Sequence, residues 1–212
     1  MSPTSPNRPA ELSPRADVLR TAQALAAGDY AGWTYGSRPE RKQIDCVQFL
    51  VEVLRRLHGE ALPPEVVSGV LIDNIGRSES LRRLVEAEDP RTRGVQQALV
   101  SAGLGSAIPP AEARPGDLIQ FWIRRPGGAW KGHAAVIDSV RERGGAAEAR
   151  LFGSHRSLNG LGKSRYWLRL AGTDRKVYVV RYSAAADSAD LRKTPEAGMI
   201  DTTNVNPPCS VH

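Results

Sequence analysis

The sequence predicts an α+β domain, with N-terminal helices packed on a central antiparallel β-sheet. Up to about residue 103, apolar residues recur at helical spacing. From Asp117 onward the texture changes to short β-branched and aromatic runs separated by glycine-rich or charged turns. Helices come first and strands afterwards, the order of a fold that segregates the two, and no internal repeat is visible.

Residues 1–14 contain four prolines and few apolar side chains, the composition of a disordered N-terminal segment. A single domain is expected over 15–183. Asp17 to Ala27 reads as a short helix, with Val18, Leu19, Ala22, Leu25 and Ala26 at helical spacing. Gly28 to Gln43 is a loop that carries three aromatics, Tyr30, Trp33 and Tyr35, which either cap a core or line a groove. A helix then starts at Asp45 or a neighbour and runs to about Leu57. Phe49, Leu50, Val53, Leu54 and Leu57 form its apolar stripe, and Gly59 ends it. Further helices are expected at 64–75, 78–88 and 93–103, followed by a turn-rich junction from Ile108 to Gly116. Strands are expected at Leu118–Ile123, His133–Val140, Ala149–Gly153, Tyr166–Leu170 and Val177–Tyr182. Residues 184–212, with low apolar content and three prolines, read as a loosely ordered tail.

The 212 residues carry a formal charge of +6 and 41% hydrophobic side chains, an ordinary globular composition. A basic surface favours polyanions such as an acidic cell wall. The cations are scattered (Arg55, Arg56, Arg82, Arg83, Arg124, Arg125), and no zinc-finger, basic-zipper or aromatic RNA-binding motif is present. No nucleic-acid partner is therefore expected. No apolar run reaches the ~18 residues of a membrane span, so no stable membrane insertion is expected. The polar N-terminus lacks the apolar stretch of a secretory signal, which makes synthesis in the cytoplasm the expectation. A monomer is expected.

The two cysteines are Cys46 and Cys209. Two cysteines do not make a disulfide framework, and a Cys46–Cys209 bridge would silence the more interesting thiol. Cys46 falls on the same side of its helix as Phe49, Leu50 and Val53, so it occupies the first turn and faces inward. The partial positive charge of a helix N-terminus, together with a nearby imidazole, lowers a thiol pKa. Such a thiolate is expected to alkylate faster than Cys209 at near-neutral pH. His133 is the candidate base: Gly132 before it leaves room for close approach, and Ala134 and Ala135 let its strand pack tightly. His155 is the candidate orienting residue, because Leu151, Gly153 and His155 share one strand face and a hairpin returns that strand to His133. Ser154 and Asn159 are the alternatives if the register slips by one. Tyr35 is a candidate donor to substrate or oxyanion, and Trp33 a candidate substrate contact. His58 reads as a helix-end residue and His212 as inert. Phe121–Trp122 and Tyr166–Trp167 read as core or groove-wall aromatics. The histidines and cysteines show no metal-ligand spacing, so neither metal nor cofactor is expected.

Three segments taken together carry a resemblance. They are Trp33-Thr34-Tyr35-Gly36 … Asp45-Cys46-Val47-Gln48-Phe49-Leu50, then Arg114-Pro115-Gly116-Asp117-Leu118-Ile119-Gln120-Phe121, then Gly132-His133-Ala134-Ala135-Val136-Ile137. In this order they resemble the NlpC/P60 cysteine peptidases, papain-like hydrolases of bacterial cell-wall peptides. The resemblance spans about residues 30–160. It implies Cys46 as nucleophile, His133 as base, a polar third member at His155 and a tyrosine near the site at Tyr35. Val47 and Gln48 stand where the family has a small residue, often serine, and then glycine. The stretch between Cys46 and the Pro-Gly-Asp turn is long, and so is the gap from His133 to His155. A basic domain without signal peptide or binding repeats is also similar to the cell-wall amidases delivered by type VI secretion.

The leading expectation is a cysteine amidase or endopeptidase acting on peptidoglycan stem or cross-link peptides, with an immunity or inhibitor protein as a partner class and the cell wall as its place of action. The alternatives are an acyltransferase, deamidase or lipid hydrolase on the same scaffold, or a non-catalytic wall-binding module.

Overall fold

In the computed structural model, residues 14–59, 62–76 and 79–183 are described. The expected N-terminal segment up to residue 13, and the tail 184–212 with Cys209 and His212, lie outside them. The architecture is α+β, with a mostly antiparallel sheet and helices on one face.

Helix α1 (Pro14–Ala27) buries Val18, Ala22 and Leu25. Two-residue strands β1 (Thr34–Tyr35) and β2 (Gln43–Ile44) pair in parallel and fold the aromatic loop back to the start of α2 (Cys46–His58). The apolar stripe of α2 is fully buried at Phe49, Leu50, Val53 and Leu54. Its last turn closes on Gly59, whose φ of 80° is open to glycine but costly for other residues. Helices α3 (Pro64–Leu71), α4 (Leu81–Glu86) and α5 (Val95–Ser101) are shorter than the periodicity predicts. The residues ahead of α5 form a 3₁₀ turn, Pro90–Arg93, because Pro90 and Gly94 interrupt the helical pattern.

The strands are β3 (Gly105–Ile108), β4 (Leu118–Arg124), β5 (Trp130–Arg143), β6 (Ala146–His155), β7 (Gly160–Lys163), β8 (Leu168–Arg169) and β9 (Arg175–Tyr182). Their order is β3-β9-β4-β5-β6-β7, with β8 also on β6, and every pairing is antiparallel. The strand expected at Tyr166–Leu170 shrinks to Leu168–Arg169, since only Glu148 and Ala149 of β6 pair with it.

Period-two alternation splits the sheet into two cores. Leu118, Ala134, Val136, Phe152 and Val180 face the helices. Ile119, Phe121, Ala135, Ile137, Leu151 and Val179 face the other way, where Ala113, Leu168 and Leu170 cover them. The Asp of the Pro-Gly-Asp turn is structural: Asp117 is fully buried and holds Arg181 of β9 through two bonds of 2.9 Å.

Candidate active site

Cys46 is the first residue of α2, and Asp45 caps that helix. The Asp45 carboxylate accepts from the amides of Val47 and Gln48, while the Gln48 side chain accepts from the Asp45 amide at 3.1 Å. This reciprocal cap explains the glutamine at position 48. Because Asp45 takes the next two amides, the Cys46 amide is the N-terminal donor without an intrahelical acceptor.

The capped helix start is tied to the sheet from behind. Ser154 is fully buried, and its hydroxyl donates to the carbonyl of Ile44 at 2.6 Å. Ser154 therefore anchors the segment that carries the thiol and is not the third member of the constellation. Asn159 sits in the β6–β7 turn with φ of 50°. Ser154→Ala is expected to cost about 0.5–1.5 kcal/mol, because it removes the shorter of the two bonds that the Ile44 carbonyl accepts and leaves only that from the Gly36 amide at 3.4 Å. A melting temperature equal to that of the parent would show that the tether carries nothing.

His133 and His155 meet across a break in the sheet. The β5–β6 pairing stops at Val136 and Phe152, after a bulge between Ile137 and Ser139. In the vacated positions the side chains of His133 and His155 close the gap, with His133 Nε2 3.0 Å from His155 Nδ1. The edge of Phe121 packs against His133 at a ring distance of 5.6 Å. Nε2 of His133 is thus occupied, and Nδ1 is the nitrogen left for a thiol. For Nδ1 to act as base, the Nε2–H must donate to His155. His155 is itself 2% exposed, and its Nε2 is buried without a hydrogen-bond partner.

Cys46 approaches from the helix side into the same break. The backbone amide of Ala134, next to His133, is placed to stabilise its thiolate. Cys46 and His133 line one cavity of about 400 Å³, together with Val47, Leu71, Ile72, Ile75, Leu81, Gln120, Trp122 and Gly132. Its walls are mostly apolar, with Val47, Leu71, Ile72, Ile75 and Leu81 forming an aliphatic side. A Cβ on Gly132 would lie 2.5 Å from the Trp122 ring, so only glycine lets that indole cover the strand beside His133. Trp122 is fixed by its Nε1–H donating to the Thr92 carbonyl at 2.8 Å. Ile72 is held in the left-handed region at φ 58°, a costly conformation for a β-branched residue.

Gly132 and His133 also line a second, smaller cavity of about 160 Å³, with Tyr35, Phe121, Ile123, Arg125, Lys131, His155, Arg156, Ser157 and Tyr166. Tyr35 joins the two sides: its phenol pKa is raised first by burial, then by the charges of Cys46 and Asp45. It stays a neutral donor near the sulfur. Trp33 is placed elsewhere. It packs edge-on against Tyr30 at 4.8 Å and joins the helical core, and neither of the two cavities that His133 lines includes it. The close pass of its carbonyl over β7 requires Gly160, whose Cβ would lie 2.8 Å from that oxygen.

The electrostatics overturn the expected thiolate. Burial pushes the Cys46 thiol above its ordinary value, and the Asp45 charge adds to this; the amides of Ala134, Val47 and Cys46 itself act in the opposite sense and lose. Burial, the neighbouring His155 and Lys131 bring His133 from 6.5 down to about 3. Burial also lowers His155. The resting pair is a neutral thiol and a neutral imidazole. Alkylation of Cys46 by iodoacetamide is accordingly expected to be slow at neutral pH and still rising above about pH 9, beyond an ordinary thiol. A rate that levels off by neutrality would contradict the neutral pair.

Cys46 is a free thiol. Among the described residues no group of three or more His, Cys, Asp or Glu is placed to hold a metal, and no helix is long and apolar enough to cross a membrane. His58, in the last turn of α2, lies 3.5 Å from the Tyr182 hydroxyl, away from the site. Trp167 is covered by the guanidinium of Arg141 at 4.0 Å, while Tyr166 lines the smaller cavity. The cavity residues Arg125, Lys131, Leu71, Ile72, Ile75 and Leu81 were not singled out by sequence as site residues. For Arg125 and Lys131 a signal existed: each is an even number of residues from Phe121 or His133, and so shares their side of the strands. No protein-family model, curated protein or solved structure matches this chain.

Proposed function

We propose that this chain is a cysteine amidase or endopeptidase of the papain-like, NlpC/P60 type, hydrolysing amide bonds in peptidoglycan stem or cross-link peptides. The observation that carries the reading is the cavity shared by Cys46 and His133, with His155 bonded to the far nitrogen of His133. In this reading His133 Nδ1 takes the thiol proton as sulfur attacks the amide carbonyl. The oxyanion is stabilised by the Cys46 amide and the Tyr35 hydroxyl. The proton then passes to the leaving amine, the C–N bond breaks, and a thioester remains. Water, deprotonated by His133, releases the acid and restores the thiol. Attack and proton transfer are coupled, because the resting pair is neutral.

The net charge of +6 suits an anionic wall. We place the action in the periplasm or outside the cell, with type VI secretion as the proposed route of delivery. A cognate immunity protein is the proposed partner. The test is digestion of isolated sacculi, with and without EDTA. Mass spectrometry is expected to show stem or cross-link peptides cut, glycan strands intact and no effect of the chelator. Sacculi and muropeptides left uncut would end the peptidase reading.

The aliphatic wall of Leu71, Ile72, Ile75 and Leu81 favours a second reading, an acyltransferase or lipid hydrolase with the same thioester. A transferase is expected to pass the acyl group to an added amine faster than to water. Turnover of a thioester or phospholipid, with sacculi untouched, would select it.

A further inference from the structure

We infer that the smaller cavity beside His133 binds an anionic group, a carboxylate or a phosphate, held by Arg125, Lys131 and Arg156. The inference deepens the hydrolase reading by naming a feature of the substrate. Its role in turnover rests on that reading, but the binding itself does not.

Three separate segments each deliver one cation. Arg125 follows β4, Lys131 lies near the start of β5, and Arg156 follows the last residue of β6. No acidic side chain lines the cavity. None of the three forms an ion pair among the described residues, whereas ten other Arg and Lys side chains do. Other cations, such as Arg83, Arg143 and Arg165, are also outside the ion pairs; what sets these three apart is that they line one small space together. Their fields reach the groups inside: Arg156 acts on Tyr35, Lys131 on His133 and Arg125 on Tyr166. Convergent like charges repel, and an anion turns that repulsion into attraction. Guanidinium forks match the paired oxygens of carboxylate and phosphate. A volume of about 160 Å³ suits such a group rather than a whole substrate. His133 borders this cavity on one side and the Cys46 cavity on the other. A substrate with its acidic group here places a nearby carbonyl at the thiol and directs an apolar portion towards Leu71, Ile75 and Leu81.

The test uses the full chain at low salt, with inorganic phosphate and glutarate as probes. Calorimetry and the imidazole NMR signals of His133 and His155 report binding. Saturable binding of at least one probe is expected, with both histidine signals shifting. It should weaken at least tenfold in the Arg125→Gln/Arg156→Gln double variant, whose surface changes leave the melting temperature near that of the parent. Preference for phosphate points to a phosphorylated substrate, and preference for glutarate to a peptide carboxylate; either supports the site. Once a substrate is in hand, the double variant is expected to lose the preference for the acidic substrate over its neutral amide. Absence of saturable binding, or binding that the double variant retains, overturns the inference. Hydrolysis retained by Cys46→Ala alongside normal anion binding would instead remove the proposed mechanism and leave the anion site standing.

Discussion

Cys46→Ala is expected to abolish turnover while the fold persists. The substitution removes the sulfur that the Ala134 amide and Tyr35 face, and leaves the Asp45 cap and the Ser154 tether untouched. Without a nucleophile, only substrate binding and oxyanion stabilisation remain, so the loss in kcat is expected to be about four orders of magnitude or more. Circular dichroism should overlay that of the parent, because the apolar stripe of α2 begins at Phe49 and makes no use of the sulfur. Cys46→Ser is a stricter companion. It keeps the shape and a hydroxyl but replaces a thiol with a much weaker acid, and should be nearly as inactive. Muropeptide hydrolysis by the alanine variant at the parental rate would remove Cys46 from the mechanism.

The helices and central strands were legible because each has a face to bury. Phe49, Leu50, Val53 and Leu54 repeat at helical spacing, and Ala135 and Ile137 alternate with Ala134 and Val136. β3 and β7 carry no such signal. Gly105-Ser106-Ala107-Ile108 and Gly160-Leu161-Gly162-Lys163 are strands only because β9 and β6 offer them an edge. The His133–His155 pairing was legible from parity. The expected face was right, and the two residues meet where the backbone pairing ends. The role of Ser154 was not, since it depends on β2 crossing behind the sheet, 110 residues away in sequence. The state of the thiol was not legible either. A helix N-terminus lowers a thiol pKa and burial raises it, and sequence shows the first but not the second. The packing of Trp33 on Tyr30 and the helical core was not legible for a related reason: an aromatic in a loop does not declare whether it faces a core or a groove.

His133→Ala is expected to cost about two to four orders of magnitude in turnover, the usual worth of a positioned base. His155→Ala should cost less, since His155 orients the imidazole and makes no bond to substrate. What separates orientation from mere packing is the pH profile. His133 works as a base only when unprotonated, so activity is lost below its pKa. With His133 held down to about 3 by burial, His155 and Lys131, kcat/KM should show no inflection near 6.5. Its acid limb should instead fall below about pH 5, with the alkaline limb above the ordinary thiol range. His155→Ala removes the His155 contribution and opens His133 to solvent. Both changes raise the His133 pKa, so the acid limb should move up towards neutrality. His155→Gln should restore part of the rate, because it keeps a hydrogen-bond acceptor for Nε2–H. An acid limb that stays fixed in His155→Ala, or a parental inflection at the value of a free imidazole, would show that the pair at 3.0 Å packs the sheet opening and does not tune the base.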